Sequence, residues 1–142
     1  MNDLTFQMLL QCKYKNDDNQ IDQQSVEHLV DDSWQELNIS NSAPGFDIFM
    51  YAILTCQHMF FRNNAAEYGL VLNSSEGLIT VITDEHRDIQ SLHVDFKGML
   101  KKGTADDEVI KSIIARMDLC PVSINLKGFH DRKTTLVFET GK

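Results

Sequence analysis

Apolar and polar residues alternate from the first turns of the chain. Leu4, Phe6, Met8, Leu10, Cys12 and Tyr14 fall on one face, while Thr5, Gln7, Gln11 and Lys13 fall on the other. A period of two over residues 4–14 predicts a strand with one buried face. A polar turn follows at Lys15–Gln20. Weaker strand patterns at 24–30 and 34–39 are separated by Asp31-Asp32-Ser33, so residues 1–40 read as a β meander. The pattern then changes: twelve of the sixteen residues from Phe46 to Phe61 are apolar, with Asp47, Gln57 and His58 among the interruptions. Asn41-Ser-Ala-Pro-Gly45 before the run and Tyr68-Gly69 after it set a helix over 45–68. Near-uniform apolarity predicts that this helix is central and buried.

Period-two patterning returns at 77–83 and 89–97. Thr104 with Asp107 then reads as a cap for a helix carrying Val109, Ile110, Ile113, Ile114 and Met117 on one face. Pro121 ends that helix near Asp118 or Leu119 and suits the first position of a short helix at 121–126, with Cys120 as its N-cap. A last strand is expected at 133–139. Strands and helices come in blocks (strands at 77–97, helices within 105–126), which predicts an α+β fold with antiparallel pairing. At 142 residues, the length suits one domain, 1–142.

Charge narrows the partners. Residues 1–68 hold ten acids and three bases, Lys13, Lys15 and Arg62, whereas residues 69–142 hold eleven acids and ten bases, for a total of −8. Nucleic acid and anionic membranes are bound chiefly through Lys and Arg, so neither is expected as a partner. The N-terminus lacks the basic head and cleavage site of a secretory signal, which points to a cytoplasmic protein. The apolar run is too short and interrupted for a membrane span. Trp34 is expected to pack. The five histidines show no metal-ligand spacing, there is no Gly-rich phosphate loop, and neither metal nor cofactor is expected.

The three cysteines, Cys12, Cys56 and Cys120, are odd in number and include no CxxC pair, which argues against a disulfide framework. Each could be a small buried hydrophobe. Cys12 keeps that reading, on the core face of its strand. Cys120, before Pro121, sits where free backbone N–H groups would favour a thiolate. Cys56 has Ala52, Ile53, Met59 and Phe60 one turn away, a collar that raises a thiol pKa. His58 falls on another helix face and reads as a partner for a core polar group.

Two strings resemble a known family. Ser42-Ala-Pro-Gly-Phe-Asp-Ile-Phe-Met-Tyr-Ala-Ile-Leu-Thr-Cys56 is similar to the proline, acid, apolar helix and cysteine pattern of the osmotically inducible protein C (OsmC) and organic hydroperoxide resistance (Ohr) superfamily. Leu119-Cys-Pro-Val-Ser-Ile-Asn-Leu-Lys127 resembles its second-cysteine string, and the two cysteines lie 64 positions apart. The resemblance implies an OsmC-like fold, with antiparallel sheets around the central helix, and an intertwined homodimer with sites at the interface. It also implies a thiol-dependent peroxidase in which Cys56 attacks an organic hydroperoxide, Cys120 resolves the sulfenic acid to a disulfide, and an external dithiol resets the pair. Phe46, Phe49, Phe60 and Phe61 would line an apolar substrate pocket, or fill the core instead. The family's peroxidases also use an arginine from the N-terminal strands and a glutamate ten residues before the first cysteine. Here position 46 is Phe46 and no arginine precedes Arg62, which leaves Lys13 or Lys15 as the N-terminal cation. Asp47 reads as a charge at the helix start. The alternative is a family member without peroxidase action whose interface pocket binds an apolar small molecule.

Overall fold

The computed structural model describes residues 2–126 and 131–140, so Lys127, which ends the second string, lies outside the described residues. The elements run β1 (Leu4–Lys15), β2 (Gln20–Val30), β3 (Ser33–Glu36), α1 (Gly45–Glu67), β4 (Val71–Thr83), β5 (Ile89–Lys102), α2 (Asp107–Met117), a 3-10 turn at Ser123–Asn125, and β6 (Asp131–Thr140). They form one six-stranded sheet in the order β3-β2-β1-β4-β5-β6.

Alternation dictates the inner face. Met8, Leu10, Cys12 and Tyr14 of β1 lie under α1 with Ile79, Val81, Leu92, Val94 and Phe96 from β4 and β5. The opposite face is largely polar: Gln7 Nε2 donates to Thr80 Oγ1 at 3.0 Å, and Lys97 pairs with Glu139 at 3.1 Å. Asp31 and Asp32, both at positive φ, make the two-residue β2–β3 hairpin loop, the geometry whose twist matches that of the flanking strands. At the other end of β2, buried Asn19 ties the β1–β2 turn to the end of α1. Its amide donates to the Arg62 and Leu70 carbonyls at 3.1 and 3.0 Å and its Oδ1 accepts from the Leu72 N–H at 2.8 Å.

Several expectations change. The sheet is single and mixed, because β6 runs parallel to β5 while the remaining pairs are antiparallel. The segment through α2 carries the chain back before β6 begins, the long connection that a parallel neighbour needs. Asp106 caps α2 instead of Thr104, its carboxylate accepting the Val109 N–H at 2.9 Å. The helix expected at 121–126 is only the three-residue 3-10 turn. Trp34 sits on edge strand β3 and is 39% exposed. Finally, α1 is buried along one side only: Met50, Ile53, Leu54 and Phe61 meet the sheet, whereas Ile48 and Met59 are exposed.

One glycine shapes what lies beneath α1. A Cβ at Gly77 would fall 2.5 Å from Cε1 of Phe96, its cross-strand partner, so only glycine lets that ring lie against the strand. Phe96 in turn stacks nearly parallel to His58 of α1, with centroids 6.0 Å apart.

Candidate functional site

Helical spacing divides the middle of α1 between two environments. Gln57, His58 and Phe61 point inward, while Thr55, Cys56 and Met59 turn toward a groove between α1 and β2. The groove has a volume of about 550 Å³ and is lined by Ile21, Gln24, Tyr51, Ala52, Thr55, Cys56, His58, Met59 and Arg62. Cys120 follows α2 and is fully buried. The two thiols are free and adjacent. Burial, followed by the neighbouring Cys120 side chain, pushes the Cys56 pKa up to about 11, against a backbone hydrogen bond from Val122.

Around Cys120 the sulfur has fixed partners. The Ser123 N–H donates to it at 3.2 Å, and Ser123 Oγ lies 3.0 Å away. The N-cap expected of Cys120 therefore survives as a single sulfur contact on the turn. Behind Ser123, Gln57 Nε2 reaches both Ser123 Oγ at 3.0 Å and Thr134 Oγ1 at 3.1 Å, and Thr134 donates to Asp118 Oδ1 at 2.8 Å. Arg132 faces the same carboxylate oxygen at 3.6 Å. Gln57 Oε1 is buried without a partner among the described residues, a vacancy that costs on the order of 1–3 kcal/mol.

Below the groove, His58 Nε2 and Tyr14 Oη are 2.6 Å apart, and Ser75 Oγ is 2.5 Å from the same hydroxyl. His58 thus partners a core polar group. Burial, assisted by the nearby Arg62 charge, depresses its pKa to about 3, so it is neutral in the folded chain at physiological pH. Burial also raises the Tyr14 pKa well above the usual phenol range, and it raises that of Cys12, which is buried under α1.

Of the residues singled out from sequence, the structure brings Cys56 and Cys120 together and places the others elsewhere. Lys13 and Lys15 lie on β1 positions that alternate with Cys12 and Tyr14, so they point from the sheet face opposite α1. Lys13 there pairs across the strands with Gln23 and Ser74. The four phenylalanines do not line the Cys56 groove. Phe46 packs on Phe6 and Phe49 near the start of α1, with centroids 4.8 and 5.7 Å away. Phe61 sits in the core against Phe96 and Phe138, and Phe60 packs partly buried beside that core. An apolar ring at the wrong helical angle fills the interior instead of the groove. Asp47 meets His28 of β2 at 3.4 Å.

Sequence reading missed Ile21 and Gln24, contributed by the neighbouring β2, and Tyr51 and Arg62 from α1 itself as groove residues. Arg62 was visible as the first arginine, and it stands six residues beyond Cys56 on the groove side. None of the groups that set the Cys56 pKa is basic, so Arg62 does not hold that sulfur as it stands. Among the described residues there is no cluster of ligands fit for a metal ion, and no helix long and apolar enough to cross a membrane.

No protein-family model and no curated protein matches the sequence. Solved structures do match. An OsmC-like hydroperoxide resistance protein from Jannaschia sp. CCS1 superposes with a TM-score of 0.57 at 12% identity, covering 86% of each chain. An OsmC-like protein from Mycoplasma pneumoniae gives 0.53 at 12% identity, over 99% of this chain and 96% of its own. Chicken CD1-1 also matches, at 0.52 and 9% identity, but over only 57% of its length. High coverage of both chains distinguishes the first two from the third. From end to end of the described residues, the fold of this chain is the OsmC-like fold.

Proposed function

We propose that the chain is a thiol-dependent peroxidase that reduces organic hydroperoxides, with Cys56 attacking and Cys120 resolving. The reading rests on one observation above all: cysteines 64 residues apart meet beside a groove, one facing the groove and the other buried behind it. The Cys56 thiolate attacks the outer peroxide oxygen, the O–O bond breaks, and the alkoxide takes a proton to leave as the alcohol. Cys120 then attacks the sulfur of the Cys56 sulfenic acid, releasing water and forming a disulfide. An external dithiol returns both thiols, so each turnover converts hydroperoxide and dithiol to alcohol, water and disulfide.

Apolar Ile21, Ala52 and Met59 favour an organic hydroperoxide over hydrogen peroxide. A homodimer belongs to this reading, since a second copy would cover the exposed Ile48 and Met59 and raise the burial of the groove. With the Cys56 pKa near 11, only about one thiol in ten thousand is ionised at neutral pH in the chain alone. That value, with no cation among the described residues acting on the sulfur, favours a second reading in which the groove binds an apolar small molecule without chemistry. Consumption of cumene hydroperoxide with dithiothreitol as reductant separates the two. The peroxidase reading expects turnover that Cys56→Ser abolishes. No turnover, with an apolar ligand raising the Tm equally in the native chain and Cys56→Ser, would replace it by the second.

A further inference from the structure

One charge beside the groove has no counterpart. Residues 1–68 carry ten acids and three bases, and Lys13 and Lys15 point from the opposite sheet face, which leaves Arg62 as the base on the α1 side. Acids are plentiful in this half of the chain, yet among the described residues no carboxylate pairs with Arg62. Its guanidinium makes a single hydrogen bond there, from Nη1 to Asn63 Oδ1 at 3.5 Å, and its Nε is buried without a partner. After burial, which dominates at each, its charge acts on His58, Tyr14 and Cys12 below the groove. All three are neutral at physiological pH, so none of them balances it.

The wall that leads away from this charge is apolar. Cys56, Met59 and Arg62 recur every three residues and form one row along the groove, with Met59 between the thiol and the guanidinium. Ala52 and Ile21 continue the apolar lining. Six residues of helix separate Cys56 from Arg62 by about 9 Å along the axis. An extended chain covers that span in about seven or eight bonds at about 1.2 Å each. The groove volume of about 550 Å³ suits a small molecule. An unbalanced guanidinium at one end of an apolar wall matches a molecule that is anionic at its head and apolar along its length, and a planar carboxylate fits the guanidinium fork.

We propose that the groove binds a single-chain carboxylic acid of about eight to ten carbons, with Arg62 taking the carboxylate and the chain lying along Met59 toward Cys56. The anchor holds under either reading of the groove. If Cys56 reacts, Arg62 sets which hydroperoxides are held for it; if it does not, Arg62 sets which apolar molecule is retained. Arg62 is thus a specificity residue, with no part in bond making.

Two measurements test this. Octanoate and octanol, equal in length and different in charge, are compared by calorimetric titration of the full chain at low ionic strength. Octanoate is expected to bind about tenfold or more tightly than octanol. Arg62→Met keeps the apolar stem and removes the charge, so octanoate should fall to the affinity of octanol while octanol itself stays within about twofold. Arg62→Gln, with the same loss expected, keeps the test open should Arg62→Met fail to fold. Octanol bound as tightly as octanoate by the native chain, no binding of either, or the native preference in a folded variant overturns the proposal. The second measurement reads the far end of the chain at Cys56. In Cys12→Ser, Cys120→Ser, octanoate at about ten times its Kd should slow iodoacetamide alkylation of Cys56 about tenfold. Butanoate, too short to span about 9 Å, should slow it less than about twofold at the same occupancy. Alkylation unchanged by octanoate, or slowed equally by butanoate, overturns the placement of the chain. Neither measurement involves turnover of a peroxide, so failure of the peroxidase reading would leave both results to decide on Arg62 alone.

Discussion

The two sulfurs of the site are held in opposite ways. Cys56 borders a groove, and the groups around it favour its protonated form: a collar of apolar residues and a second thiol, with the single backbone contact of Val122 against them. Cys120 is sealed from solvent and surrounded by polar groups, with Ser123 on its sulfur and Gln57, Thr134 and Asp118 behind. Residue type alone would make the two cysteines equal. Exposure opens one to the groove, and burial with hydrogen bonds to Ser123 fixes the position of the other.

The sharpest way to break this comparison is to remove each sulfur in turn. Cys56→Ser should end hydroperoxide consumption altogether. Cys120→Ser should permit one attack and leave a sulfenic acid at Cys56 that dimedone traps and mass spectrometry detects; identical behaviour in the two variants would erase the distinction. Acid probes the floor of the groove. His58 has a folded pKa near 3, below its unfolded value of 6.5, so the unfolded chain binds the proton first. Stability is therefore retained above about pH 6.5 and lost as pH falls toward 3, by at most about 5 kcal/mol. Denaturant titrations across that range should show the loss, and His58→Phe should flatten it.

Smaller effects separate the polar side from the groove side. Gln57→Leu strips donors from buried Ser123 and half-buried Thr134 and should cost about 1–3 kcal/mol in urea unfolding. Thr55→Ala, on the groove side of the same helix, should stay within about 0.5 kcal/mol. Equal losses would show that the two sides carry the same energetic weight. Last, the rate of Cys56 alkylation in Cys12→Ser, Cys120→Ser should climb about tenfold per pH unit from neutrality and level off only in strong alkali. Any stability that Cys56 gives by keeping its thiol folds away between its unfolded value of 9.0 and about 11.

Much of the fold was legible because its periods were plain. Alternation in Leu4–Tyr14 and the apolar run after Pro44 led directly to β1 and α1. The parallel pairing of β6 was not legible, since strand direction follows from where α2 returns the chain and leaves no mark in a ten-residue pattern. The cysteine pair was legible through the two strings around it. Its surroundings were not: alternation over 4–14 already put Lys13 opposite Cys12 and Tyr14, with Lys15 read into the turn, but which face α1 would cover is a tertiary fact. Gln57 was passed over as an interruption in an apolar helix. A buried amide beside a cysteine is a signal in itself, because burying an amide demands partners, and here those partners come from residues 66 and 77 positions further on.

The most direct test of the whole account is a peptide map of the chain after brief exposure to one equivalent of cumene hydroperoxide without reductant. The expected result is a disulfide joining the peptides of Cys56 and Cys120, a loss of two protons, and an unmodified Cys12. Three intact thiols, or oxidation that falls on Cys12 while Cys56 and Cys120 remain reduced, would contradict it.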